Sequence, residues 1–326
     1  MRTRLLRETK PLLDGPKRQH FLPKFYIEGF TKEGMVAVFD RELNEIRVQP
    51  PVNTCVIGHF YTMEDDAGRK RFELEQVLSE NESNASNVIK KLASMEAINA
   101  DERTDLAIFI AYAACRTPDI VDSLKSFNSN LIRDMAKRIF ADVDEVKTRI
   151  RGKPNAPSSE EQLEAEAQAL VEYAQNGQYE VKTKHEWAVA MAIKMAFKIA
   201  PILAGRDWVV FHRNQEKQSF VTTDAPVLLT TIAPRDNGFW ERGIGFGNSD
   251  ALVLFPLIES CILAIYGYDG GLKHCAAGAE QIRDINLALA DRCQRFVIGC
   301  DEELIKSLTD QLGIANKKWQ PKMQSR

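Results

Sequence analysis

Several groups of residues in this 326-residue chain are of types that do chemistry. The most unusual is QHFLPKFYIEGF, residues 19–30, where Gln19 and His20 precede an aromatic run broken by Pro23. A neutral imidazole serves as a general base or a metal ligand near neutral pH. The same ring can instead hydrogen-bond a carbonyl and anchor a turn, and both readings stand. In SFVTTDAPVLL, Asp224 ends a strand and Pro226 makes the chain turn or follow a sheet edge. A carboxylate there either caps the turn or serves catalysis beside the hydroxyls of Thr222 and Thr223. In ACRTPD, Arg116 closes an apolar helix. Its guanidinium either meets the free carbonyls of the helix end or clamps a phosphate or carboxylate through parallel donors. Glu75 and Glu82 share one helix face, either as a solvated face or as a pair able to hold a divalent ion.

Other formal matches carry less. Gly243, Gly245 and Gly247 in RGIGFGN resemble a phosphate loop, but they precede a strand instead of following one and opening a helix, so a turn or bulge is expected. Arg206 and His212 have the Arg-x5-His spacing of some helical nucleases yet lie in the strand-like DWVVFHR. No GxSxG, HExxH, Walker A or EF-hand pattern occurs.

The elements that must position these residues fall into three textures. Residues 17–65 read as loop and short strands, with MVAVFD and EIRVQ forming a hairpin across RELN, CVIGHFYTM as a further strand, and one helical turn at Tyr26, Ile27 and Phe30. Residues 70–205 read as helices. Phe72, Leu74, Val77, Leu78, Val88, Ile89 and Leu92 lie near helical spacing, although the Asn/Ser-rich middle weakens the pattern. Asp101 is expected to cap the next helix, which is apolar nearly all round and therefore central. It should break near Thr117, because Pro118 disfavours helix in the residue before it. A further helix spans about 119–140. RGKPNAPSSEE is the clearest loop. Capping boxes at Ser158–Glu161 and Thr183–Glu186 should open helices ending near Asn176 and before Pro201. Residues 206–300 turn to strands (DWVVFHR, SFVTTD, VLLTT, DALVLFPL, CILAIYG and RFVIG), with helices at about 279–292 and 301–312. The expected fold class is α+β, a mostly antiparallel sheet packed against a layer of helices with a helical middle region. One domain is expected over 17–312, between a basic arm (1–16) and a basic tail (313–326), with the loop at 151–160 as an insertion within the helical layer.

Composition sets the outer bounds. The chain is 44% apolar and 27% charged with a formal charge of −3, the make-up of an ordinary globular protein large enough to bury a core unaided. This balance excludes a wholly basic nucleic-acid coat. No apolar run was expected to reach the roughly 20 residues that span a bilayer, so no membrane partner and a cytoplasmic location are expected. Residues 1–24 carry seven Lys/Arg and two Asp/Glu, either a solvated arm or a contact for a phosphate backbone. They lack the apolar core of a secretory signal. Six cysteines without a CxxC pair read as reduced thiols.

QHFLPKFYIEGF resembles the opening motif of domain-of-unknown-function family 4238, a widespread microbial family, with Ile27 where Leu is usual. FELEQVLSENES is similar to that family's acidic helix, ACRTP to its Arg-Thr-Pro, and SFVTTDAPV to its Thr-Ser-Asp-x-Pro with Thr223 for Ser. FPLIES resembles a Pro-Leu-Ser segment with Ile258 for the serine, and INLALADRCQRFVIG resembles the closing helix and strand. The resemblance covers about residues 17–300 and implies shared polar positions at Gln19, His20, Glu75, Arg116, Asp224 and Asn286. It implies no particular activity.

Two functions are expected to compete. In the first, His20, Arg116 and Asp224 converge as catalytic residues of a phosphodiester or phosphate-ester hydrolase. There Gln19, Arg116 and Asn286 contact the substrate, and His20, Glu75 and Asp224 are candidate ligands of a divalent metal. Nucleic acid or a phosphorylated small molecule is then the partner. In the second, the same residues are structural pins in a non-catalytic binding or regulatory module, for example in a microbial defence or toxin system.

Overall fold

The structure, a computed structural model, describes residues 13–65, 67–177, 179–232 and 243–310. The arm before residue 13 and the tail after residue 310 lie outside the described residues. The chain divides into two compact units, one built from residues 121–188 and the other from the segments on either side. The sequence had suggested a single domain.

The larger unit opens with β1 (Arg18–His20) and the one-turn helix α1 (Lys24–Glu28). The hairpin β2 (Val36–Asp40) and β3 (Glu45–Gln49) follows, then β4 (Val56–Gly58), β5 (Met63–Glu64) and β6 (Lys70–Arg71). Two long helices, α2 (Glu73–Ala93) and α3 (Ala100–Cys115), come next. The chain then passes through α4 (Pro118–Ile139), α5 (Val143–Arg151), α6 (Glu160–Asn176) and α7 (His185–Ala204). It closes with β7 (Asp207–Arg213), β8 (Thr222–Thr223), β9 (Leu228–Thr231), β10 (Ala251–Ile258), β11 (Cys261–Tyr266), β12 (Leu272–Ala277), α8 (Ala279–Arg292), β13 (Phe296–Gly299) and α9 (Glu302–Thr309).

The strands form a five-stranded sheet in the order β12-β7-β11-β10-β9, a four-stranded sheet β3-β2-β13-β8, and the two-stranded pairs β1-β4 and β5-β6. Among the described residues every strand pairing is antiparallel except β12 with β7. This is the expected α+β class. Ile282 and Leu289 of α8 pack on Leu254, Ile262 and Ala264 of the larger sheet. Ile305 and Leu308 of α9 pack with Ala37 and Val297 of the smaller one. α3 is buried on every side, from Leu106 through Phe109, Ile110 and Tyr112 to Cys115, as its uniformly apolar sequence requires. In the smaller unit, Val146 and Ile150 of α5 pack against Leu163 and Ala167 of α6. The Thr183 hydroxyl there accepts from Asn128 Nδ2 at 3.0 Å and donates to the Lys125 carbonyl at 3.3 Å.

Several boundaries correct the sequence reading. Asn99, not Asp101, caps α3, because its side chain reaches the N–H groups of Asp101 and Glu102 while Glu102 bonds back to the Asn99 N–H. Ser159, not Ser158, caps α6 by accepting from Gln162 N. Thr183 does not open α7, which starts at His185 and runs through Pro201 to Ala204. That helix also corrects the expectation about apolar length. His185–Ala204 is long and apolar enough by length and composition to cross a bilayer, with 33% of its apolar window buried. Lys194 and Lys198 divide the helix into short apolar runs. The short helix α5 and strand β12 were not anticipated. All six cysteines are free thiols, with Cys275 exposed and Cys300 half-buried.

Candidate functional site

His20 sits at the end of β1, where it pairs with Val56 of β4. The chain then dives inward over Phe21 and Leu22, and Pro23 starts α1, whose Tyr26 and Ile27 are buried. The imidazole is thus carried on a short strand pinned from both sides. Its Nε2 is buried without a hydrogen-bond partner. Burial pushes the His20 pKa below its ordinary value. The Val52 and Pro51 carbonyls oppose this, while the charges of Arg18 and Lys24 reinforce it. The ring is therefore neutral at neutral pH, the form that accepts a proton.

Facing it lies α2. The buried stripe of this helix is Leu78, Ala85, Val88, Ile89 and Leu92. A second stripe, Glu75, Ser79, Glu82, Ser83, Ser86 and Lys90, follows helical spacing and lines a cavity of about 470 Å³. His20, Lys24, Phe25 and Tyr61 form its other wall. The volume is that of a small-molecule site. Of the Asn/Ser-rich stretch that weakens the helical pattern, Ser79, Ser83, Ser86 and Asn87 line this cavity, while Asn81 donates to the Asp105 carbonyl of α3.

Arg116 follows α3 and is 1% exposed. Its Nη2 donates to Glu82 Oε1 at 2.9 Å, and its guanidinium lies 5.7 Å from the Tyr61 ring centroid. Its Nε is buried without a partner. The guanidinium therefore stands behind the cavity wall and holds Glu82, where the sequence had suggested a direct anion clamp. Glu75 makes no hydrogen bond or ion pair among the described residues. Burial, then the like charge of Glu82, push its pKa above the usual carboxylate range, against the pull of Arg116. The two carboxyl groups of α2 that line the cavity are thereby split into one ion-paired and one biased toward keeping its proton, the pattern that separates acid from base in catalytic pairs.

The remaining candidates are part of the frame. Gln19 is fully buried. It accepts from Tyr61 N at 2.6 Å and donates to Thr62 Oγ1 at 3.3 Å, tying the Tyr61 segment to the strand that carries His20. Asp224 does not line the cavity. Its Oδ1 and Oδ2 accept from the N–H groups of Gln294 and Arg295 at 2.9 and 2.7 Å, joining the end of β8 to the start of β13. Burial raises its pKa to about 6 against the pull of these N–H groups. Asn286 accepts from Val221 N at 3.0 Å and donates to the Ser219 carbonyl at 2.8 Å, fastening α8 to the chain before β8. Among the described residues no group of three or more His, Cys, Asp and Glu side chains is placed to hold a metal ion, so the candidate set His20, Glu75 and Asp224 does not assemble. Arg206, the other buried arginine of the sequence reading, donates to the Ala251 carbonyl at 2.9 Å and is structural.

Sequence reasoning missed the ion pair between Glu82 and Arg116, and the contributions of Tyr61, Lys24 and Lys90. The polar stripe on α2 was the one available signal.

A family model described as a protein of unknown function (DUF4238) matches residues 18–303, nearly the whole described chain. The chain belongs to this family. The match to DUF4238 includes every residue of the cavity wall. No curated protein and no solved structure matches the chain.

Proposed function

We propose that this DUF4238 protein is a hydrolase of phosphodiesters or phosphate esters, with the cavity between α2 and the β1–α1 segment as its active site. The observation that carries this reading is the pairing of a neutral imidazole with a carboxyl group biased toward its protonated form on two walls of one cavity. His20 takes a proton from water as the water oxygen attacks phosphorus. The bond from phosphorus to the leaving oxygen breaks, and Glu75 gives its proton to that oxygen. Solvent then returns both groups to their starting state. Lys90, which forms no ion pair among the described residues, supplies positive charge for the phosphoryl oxygens, while Arg116 offsets Glu82 and Glu28 offsets Lys24. Arg116 is a positioning residue in this scheme, and Gln19, Asp224 and Asn286 hold the frame.

The test is turnover of bis(p-nitrophenyl) phosphate, single-stranded RNA and single-stranded DNA, each with EDTA and with Mn²⁺. Wild type is compared with Glu75→Gln and with His20→Gln after thermal melts confirm folding. The expected result is a loss on the order of 10²–10⁴-fold for each variant. No turnover of any substrate by folded wild type would refute hydrolysis. A binding module is the second reading, favoured by the use of Gln19, Asp224 and Asn286 as pins. It predicts a raised melting temperature with a phosphorylated ligand and no product.

A further inference from the structure

Beside the polar cavity lies a second one of about 270 Å³. The two share Phe25, Ser86 and Lys90 as lining residues. The far walls of the second are Tyr26, Ile89, Leu257 and Ile258, so the lining turns from polar to apolar and aromatic along α2. We propose that this annex is a base-binding subsite, and that the ligand of the cleft is a nucleotide whose phosphate sits by Lys90 and whose nucleobase enters the annex. The proposal rests on the reading that the polar cavity accepts a phosphate.

Three observations support it. First, the annex is rigid. The Tyr26 hydroxyl is spent on Thr222 Oγ1 at 2.9 Å and the Pro256 carbonyl at 2.7 Å, and its ring stacks on Phe255 at 5.2 Å. Phe25 leans on Phe109 with ring centroids 5.4 Å apart. Tyr26, 1% exposed, is the fixed backing of the wall, and the half-buried Phe25 is the ring on which a planar ligand stacks, which suits a nucleobase better than a flexible alkyl chain. Second, the end wall is fixed, because Gly29 lets the backbone pack so closely on Ile258 that a Cβ there would come within 2.8 Å of Ile258 Cγ2. Third, the rim is polar. Lys90 forms no ion pair among the described residues, Ser86 offers a hydroxyl, and Glu28 is held by Lys24 at 2.9 Å. A nucleobase has edge groups to meet such a rim, and an alkyl group has none. The volume admits one ring system and falls short of a drug-sized ligand.

Calorimetric titration with AMP, ribose 5-phosphate and hexyl phosphate tests the subsite without requiring turnover. AMP is expected to bind at least tenfold more tightly than either of the others. Ile258→Trp, which fills the annex from a partly exposed position at the end of β10, should erase that advantage and leave ribose 5-phosphate binding unchanged. Ile258→Phe should do the same in part, and covers the case in which the larger substitution does not fold. Equal binding of AMP and ribose 5-phosphate would overturn the base subsite alone, and hexyl phosphate matching AMP would overturn its aromatic character. Failure of all three to bind would overturn both the subsite and the phosphate reading beneath it. Tight AMP binding without turnover of any ester would support the subsite and remove the hydrolase.

Discussion

Asp224 and Glu75 are both carboxyl groups drawn away from water, and burial pushes the pKa of both upward. Their surroundings differ in what is left over. Both Asp224 oxygens are taken by backbone N–H groups, so the residue has one geometry and one task, joining two strands of the smaller sheet. Glu75 has no such partner and faces a cavity, where burial and then Glu82 push its pKa up against the pull of Arg116. The cationic side repeats the contrast. Arg295 gives Asp40 two hydrogen bonds, at 3.0 and 2.8 Å, and Arg47 and backbone N–H groups complete that carboxylate's shell. Arg116 spends one N–H on Glu82 and leaves its buried Nε unpaired. Buried polar groups are nearly always satisfied, and each exception calls for a physical explanation. Arg206, in the frame, also keeps a buried Nε unpaired, so it is spare hydrogen-bonding capacity together with a place at the cavity wall that marks the candidate site.

The largest effect expected from breaking this division is on Arg116. Arg116→Met strands the Glu82 carboxylate and should cost about 3 kcal/mol in urea unfolding, the low end for a buried pair because Glu82 is partly exposed. Adding Glu82→Gln should recover part of that loss. A cost under about 1 kcal/mol with no recovery would show that the pair does not hold the wall.

Asp224 gives the next effect, and its sign is distinctive. Its folded pKa of about 6 lies above the ordinary value of 3.8, so the folded state binds the proton more tightly than the unfolded chain. The resulting stability is fully present below about pH 4 and is lost as pH rises through about 6, a swing of about 3 kcal/mol. Denaturation across this window should show the slope in wild type and lose it in Asp224→Asn, in which one backbone N–H is also left facing an amide donor. A wild-type slope unchanged in the variant would assign it to another group.

A smaller effect of opposite sign is expected at β12, the one parallel edge. His212 Nε2 and His274 Nδ1 lie 2.9 Å apart. Burial lowers the pKa of both, and the His274 charge adds to the effect at His212. With folded values below the ordinary 6.5, the stability they contribute is present above that pH and is lost as pH falls through the folded values. Hydrogen exchange should show β12 opening first on acidification, and His274→Gln should blunt the change. Glu75→Gln gives the smallest stability effect, within about 0.5 kcal/mol by thermal melting, because no bond is broken. A loss as large as that at Asp224 would make Glu75 part of the frame.

Much of the fold was legible because local pattern and tertiary demand agree. α3, apolar all round from Leu106 to Cys115, strand β2 and the turn at Tyr26 each bury the residues their spacing marks, while β3 leaves Val48 exposed. β12 was not legible: LKHCAA has little apolar alternation, and its place comes from pairing with β7. Pro201 lies inside α7 although it should have ended it, a case of context overriding a local rule. At the site, His20 stood out because it precedes an aromatic turn, and Glu75 and Glu82 because they share a face. That Arg116 meets Glu82 while Asp224 meets Gln294 and Arg295 depends on contacts 34 to 71 residues apart in the chain, for which no local spacing exists.

The account turns on Glu75 holding its proton above the ordinary value because burial, and then the Glu82 charge, oppose its ionisation. Carboxyl ¹³C NMR titration of the full chain, with the Glu75 resonance assigned by its loss in Glu75→Gln, measures this without a substrate. The predicted result is a midpoint above the ordinary 4.5 that falls in Glu82→Gln. A midpoint at or below 4.5, unmoved by that substitution, would contradict it.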